Sequence, residues 1–180
     1  MARMLPPSRP QITRPQLLHR VGKAPGAAVF LVGWPGYYLN TMGKKGENDR
    51  GIYDDAIFLV TPNVYATFNA NVDPSVFRRG IATLEPGTHL YRKGPHGISR
   101  GNPYPAFRPA NKEEALPVRR DGQSGVSKGI AINIHRGSWN STSSLGCQTL
   151  PPSQWEAFQK LVYAEMDRHG QKTIPYVKLA

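Results

Sequence analysis

The sequence predicts a mainly β chain of the α+β class, a sandwich-like arrangement of short strands with one helix in the C-terminal region. Three observations carry that prediction. Seventeen prolines and eighteen glycines make up nearly a fifth of the 180 residues, so turns are frequent and elements short, which argues against a helical bundle. Short apolar runs rich in β-branched and aromatic side chains recur between turn signals. Only one segment, near the C-terminus, carries the apolar period of a long amphipathic helix. The length fits one domain with a core that needs no staples.

Taken in order, residues 1–26 are rich in proline, arginine and glycine and read as a basic, flexible or loosely docked arm. Within it, residues 13–20 predict a short helix with Thr13 as N-cap and Pro15 in the first turn. Residues 27–180 read as a single domain. A β-type run over 27–32 is closed by Gly33-Trp34-Pro35-Gly36, Tyr37-Tyr38-Leu39 begins a second strand, and 43–51 is a polar loop. Further strands are expected over 56–61, 64–68, 80–84 and 89–92, with a tight turn at 85–88 between the last two. Residues 93–128, rich in proline and glycine, read as a long irregular excursion; loops of that length are often functional, and part of it is expected to border a substrate cleft.

The clearest strand is 129–135. Ile130, Ile132 and Ile134 alternate with Ala131, Asn133 and His135, so the isoleucines share a buried face and Asn133 and His135 the opposite one. The helix is expected over 154–168, with Ser153 and Glu156 as a capping box and Trp155, Phe158, Leu161, Val162 and Met166 as its core stripe. Gly170 ends it, and 173–179 is a closing strand.

The formal charge of +11 favours anionic partners: nucleic acid, an anionic lipid face or an acidic cell-wall polymer. The basic residues occur as pairs such as Lys44-Lys45, Arg78-Arg79 and Arg119-Arg120, and no helix-turn-helix, zinc-finger or RNP-like pattern is present, so no specific nucleic acid is expected. No run approaches the roughly 20 apolar residues of a membrane span. The N-terminal residues lack the apolar region of a cleaved signal, from which synthesis in the cytoplasm is expected.

Chemistry concentrates on Cys147, the only cysteine, which can form no internal disulfide. A thiol attacks carbonyls as its thiolate, and a neighbouring histidine can take its proton and later return it to a leaving amine. His135 ends the strand twelve residues earlier, within reach of a loop that folds back. Gly146 lets backbone approach a bound carbonyl, and N–H groups around Gly146 and Cys147 are candidates for an oxyanion site. Asn133 points the same way as His135 and can orient it or touch substrate. Arg136 is a candidate for a substrate carboxylate, and Trp139 and Asn140 for the cleft lip. His19, His89, His96 and His169 show no zinc-ligand spacing and read as structural. Neither metal nor cofactor is required by this chemistry.

Ile134-His135-x-Gly137 followed by Ser144-x-Gly146-Cys147 resembles the active-site signature of L,D-transpeptidases, the YkuD-type peptidoglycan enzymes. The resemblance covers residues 129–150 and is only architectural over 27–128. It implies a β-rich catalytic domain in which Cys147 forms a thioester with a peptidoglycan stem peptide, His135 is the base, and Ser144 and Gly146 shape the loop. Leu145 stands where the family has histidine, and Gln148-Thr149 replaces an apolar-Arg or apolar-Asn pair. Both the Leu145 position and the Gln148-Thr149 positions touch substrate in the family, so the resemblance assigns Gln148 and Thr149 to substrate. Together with the charge, the resemblance leads to the expectation of a lytic wall enzyme, such as a phage endolysin or secreted effector. It would be delivered to the anionic envelope and be either hydrolytic or transpeptidating. The other class left open is a non-catalytic protein, either a wall-binding module or a basic nucleic-acid-binding virion component.

Overall fold

A computed structural model describes residues 4–180; residues 1–3 of the expected arm lie outside it. The chain is mainly β with an α component. The first helix, α1 (Arg14–Val21), starts where the sequence places it: Thr13 Oγ1 accepts the Gln16 N–H and the Gln16 side chain accepts the Thr13 N–H, a reciprocal cap.

Eleven strands then form two sheets among the described residues. The larger sheet holds eight: β1 (Phe30–Trp34), β2 (Asp55–Val60), β3 (Tyr65–Ala70), β5 (Gly87–His96), β6 (Tyr104–Pro109), β9 (Ile134–Arg136), β10 (Gln148–Leu150) and β11 (Thr173–Lys178). Their order across the sheet is β10-β9-β6-β5-β11-β1-β2-β3. Pairing is antiparallel except for β1 with β11 and β9 with β10. The smaller sheet is β4 (Ala82–Leu84), β7 (Ala115–Arg120) and β8 (Ser127–Ile130). The two outer edges of the large sheet meet, since Asn71, just past β3, and Thr149 of β10 exchange backbone hydrogen bonds of 2.8 Å in both directions. The sheet is therefore rolled so that its two edges meet.

Strand alternation divides the apolar residues between two cores. Leu31, Ile57, Leu59, Phe107 and Ile134 point into the main core, with Trp155, Phe158, Val162 and Met166 of the second helix, α2 (Pro152–Arg168), and Leu84 and Val118 of the small sheet. Phe30, Val32, Ala56, Phe58 and Val60 point the other way and are covered by Leu17 of α1. Complete burial of one leucine stabilises by about 1.5–3 kcal/mol, so Leu17 alone fastens the segment ahead of β1. Backbone oxygens of Met4, Ser8 and Ile12 also accept hydrogen bonds from Tyr53, Tyr38 and Tyr65.

Several expectations need correcting. Tyr37-Tyr38-Leu39 forms a turn, because Gly36 takes a left-handed backbone and its N–H is captured by the buried Asp55 carboxylate at 2.6 Å. Half of residues 93–128 is strand, in parts of β5 and β8 and all of β6 and β7, with a 3-10 turn at Ile98–Arg100. Their prolines fit because Pro95 faces Pro105 in register, where a non-hydrogen-bonded pair needs no N–H from either residue. The expected strand over 129–135 is two strands in different sheets. Ala131, at φ +52°, breaks it where the chain passes from β8 into the large sheet. Ile132 and Ile134 are buried as expected, whereas Ile130 is 60% exposed. The capping box at Ser153 does not form. Pro151 is the N-cap and Pro152 opens the helix, since a proline with pre-set φ starts it two residues earlier. Among the described residues no helix is long and apolar enough to cross a membrane.

Candidate active site

The parallel pairing of β9 with β10 builds the site. Gln148 lies in register with Ile134 and Thr149 with His135. Residues in register share a face, so Gln148 points inward with Ile134, and Cys147, one position ahead, falls on the side of His135. Cys147 is partly exposed. Its Sγ receives the Asn133 N–H at 3.4 Å and faces the Ala131 carbonyl at 3.6 Å. Burial, the largest influence, pushes the thiol up to about 11, against smaller opposing effects from the Asn133 N–H and the Arg108 guanidinium. In its resting form Cys147 is a neutral thiol.

The loop ahead of Cys147 is held by Ser144. Its Oγ donates to the Cys147 carbonyl at 2.6 Å and accepts the Gly146 N–H at 3.0 Å. The Ser144 backbone is tied in turn to Ser75, which accepts its N–H at 2.7 Å and donates to its carbonyl at 2.8 Å. Gly146 sits at φ +140°, and a Cβ there would lie 2.8 Å from the Ala82 carbonyl, so only glycine fits without strain. One expectation changes here. The Gly146 N–H is spent on Ser144, so of the two backbone donors only the Cys147 N–H is without a partner among the described residues.

His135 is almost fully buried. Its Nδ1 lies 2.8 Å from the Arg136 carbonyl and 3.3 Å from the Tyr104 hydroxyl. A carbonyl can only accept, so Nδ1 carries the proton and Nε2 is left as a lone-pair acceptor. Burial first, and the neighbouring His96 second, push the imidazole down to about 3, so the ring is neutral over the whole physiological range. No hydrogen bond joins the His135 ring to Cys147 Sγ; the two lie on one sheet face, His135 in β9 and Cys147 just ahead of β10. His96, at the end of β5, stacks on His135 with ring centroids 3.8 Å apart. Asn133, itself buried, donates from Nδ2 to His96 Nδ1 at 3.0 Å, and its Oδ1 is buried without a partner.

A cleft of about 640 Å3 opens beside this cluster, lined among others by His96, Arg100, Tyr104, His135, Arg136 and Trp139. Cys147 is not among its lining residues. Arg136 lies over the Tyr104 ring, 5.0 Å from its centroid. Neither Arg100 nor Arg136 has a carboxylate partner among the described residues, whereas Arg92 and Arg108 are both paired with Glu114. Trp139 is 68% exposed at the cleft.

The expected residues thus separate into four groups. Cys147, His135, Asn133, Ser144 and Gly146 form one connected cluster, and Arg136 and Trp139 line the adjoining cleft. Asn140 is exposed on the same loop but does not line the cleft. Gln148 and Thr149, expected to touch substrate, are completely buried. Gln148 accepts the Tyr176 hydroxyl at 2.9 Å and donates to the Gly146 carbonyl at 3.2 Å, bracing the loop from inside. Thr149 closes the rolled sheet through Asn71.

Three residues were missed by sequence reading: His96, Arg100 and Tyr104. Their only signal was membership of the segment expected to border a cleft, which it does. Among the described residues no three His, Cys, Asp or Glu side chains converge to hold a metal ion. No family model, curated protein or solved structure matches the chain.

Proposed function

We propose that the protein is a cysteine enzyme acting on the peptide stems of bacterial cell wall. Cys147 Sγ attacks the carbonyl carbon of a stem-peptide bond as its proton passes to His135 Nε2. The Cys147 N–H faces the oxygen that becomes negative. Collapse breaks the C–N bond, the proton goes from His135 to the departing amine, and the acyl group stays on Cys147 as a thioester. Water or an acceptor amine then releases it. Both partners rest neutral, so the proton moves during attack rather than beforehand.

One observation carries this reading: His135 is fixed by the Arg136 carbonyl in the tautomer with a free Nε2, on the sheet face that holds the only thiol. The cleft adds support. Stem peptides carry carboxylates, and Arg100 and Arg136 present two guanidinium groups that no acidic side chain of the described residues neutralises. The net charge of +11 suits approach to an anionic envelope.

The test is digestion of purified peptidoglycan, with the released fragments read by mass spectrometry. The native chain should change the fragment pattern, and Cys147→Ala and His135→Gln should abolish that change while melting like the native protein. A fragment pattern identical with and without Cys147 would leave the other reading, a non-catalytic basic protein that binds wall polymer or nucleic acid.

A further inference from the structure

His96 contacts both halves of the site. Its ring lies within 8° of parallel to His135 at 3.8 Å, covering one face of that imidazole. Its Nδ1 meets the Asn133 amide at 3.0 Å, and the backbone N–H of the same Asn133 donates to Cys147 Sγ. The ring is half-buried, lines the cleft and also packs edge-on against Tyr104. Two imidazoles stacked this closely cannot both be charged without strong repulsion.

We propose that His96 is a positioning residue for His135: its flat ring fixes the plane of the base, and a charge on either stacked ring opposes a charge on the other. This rests on the reading of Cys147 and His135 as nucleophile and base. With Asn133 donating, His96 Nδ1 is the acceptor and its proton sits on Nε2, the uncharged form. A second proton would set N–H against the Asn133 NH2.

The groups around the stacked pair act in the same direction. Arg100 comes from the 3-10 turn, Tyr104 and Arg108 from β6, Arg136 from β9 and the Cys147 thiol from the loop before β10. Arg108 is paired with Glu114, the other side chains bring positive or no charge and favour a proton on neither ring, and the Arg136 carbonyl, through its hydrogen bond to Nδ1, acts the other way on His135. Burial, followed by Arg100 and Arg108, lowers His96 itself.

The test is the rate at which iodoacetamide alkylates Cys147 in the full-length protein, followed against pH; it needs no knowledge of the substrate. In the native protein the rate should depend on His135, with His135→Gln about a hundredfold slower, the lower range for loss of a positioned base. His96→Ala should lose about tenfold on the plateau as the base becomes free to tilt. His96→Phe keeps a flat ring and should recover the plateau to within about threefold. In it no second imidazole competes for the charge, so His135 takes up its proton more readily as the pH falls and the acid limb moves to higher pH. Native-like rates and an unmoved acid limb in both His96 variants would overturn the assignment alone. A plateau lost equally in His96→Ala and His96→Phe would also overturn it. A native rate in His135→Gln would overturn it together with the catalytic reading beneath it.

Discussion

Ser144→Ala removes one oxygen and leaves two backbone groups without partners. The Ser144 hydroxyl accepts the Gly146 N–H at 3.0 Å and donates to the Cys147 carbonyl at 2.6 Å. Ser144 and Gly146 are both buried, so water does not simply replace the hydroxyl. Each orphaned group costs about 1–3 kcal/mol; allowing for partial relaxation of the loop, the variant should lose about 2–4 kcal/mol. For a domain of this size that corresponds to a fall in Tm of roughly 5–15 °C. Urea denaturation monitored by tryptophan fluorescence measures the first figure and calorimetry the second. The released Gly146 N–H and Cys147 carbonyl also let the peptide before Cys147 turn, so Cys147 alkylation should change in rate. A Ser144→Ala protein within about 0.5 kcal/mol of native and alkylated at the native rate would refute the idea that this hydroxyl shapes the loop.

Gly146→Ala places a methyl group against the Ala82 carbonyl in a backbone region that L-residues avoid; it should destabilise by about 2–4 kcal/mol, and a denaturation midpoint equal to native would contradict the close approach. Asp54 makes a pH prediction. Burial, the dominant cause, raises its carboxyl to about 7, against about 3.9 in an unfolded chain. Between those values the folded state holds a proton that the unfolded state releases, so stability falls as pH rises through that window. Asp54→Asn should flatten this slope in urea melts between about pH 4 and pH 7, and an unchanged slope would assign the titration to another carboxylate.

Much of the framework was legible because it depends on local signals. Thr13 followed by Gln16 caps α1, and the strands expected over 56–61 and 64–68 became β2 and β3 with small shifts at their ends. The chemistry around Cys147 was legible for a similar reason: Ser144, Gly146 and Cys147 are sequence neighbours whose contacts with one another are local. What was hidden depends on partners far away in sequence. Gln148 looks like a loop residue beside a nucleophile, yet its amide is directed by the Tyr176 hydroxyl, 28 residues on. His96 carries no motif, and only the pairing of β5 with β6 and of β6 with β9 brings it onto His135. The alternation over 129–135 was real in sequence but could not reveal that its two halves belong to different sheets.

The break at Ala131 has a consequence for how the molecule can be divided. The thiol is held by the Ala131 carbonyl, at the end of the path out of the small sheet, and by the Asn133 N–H, on the way into the large one. Gly146 packs against Ala82 of β4, in the small sheet, while Gln148 is anchored through Tyr176 of β11, in the large one. The thiol therefore sits on a seam. A fragment keeping only the eight-stranded sheet would lose one wall of its cradle, and a fragment keeping only the three-stranded sheet would lose the other. The smallest piece of this chain able to hold Cys147 in place must contain both sheets and the three residues that join them.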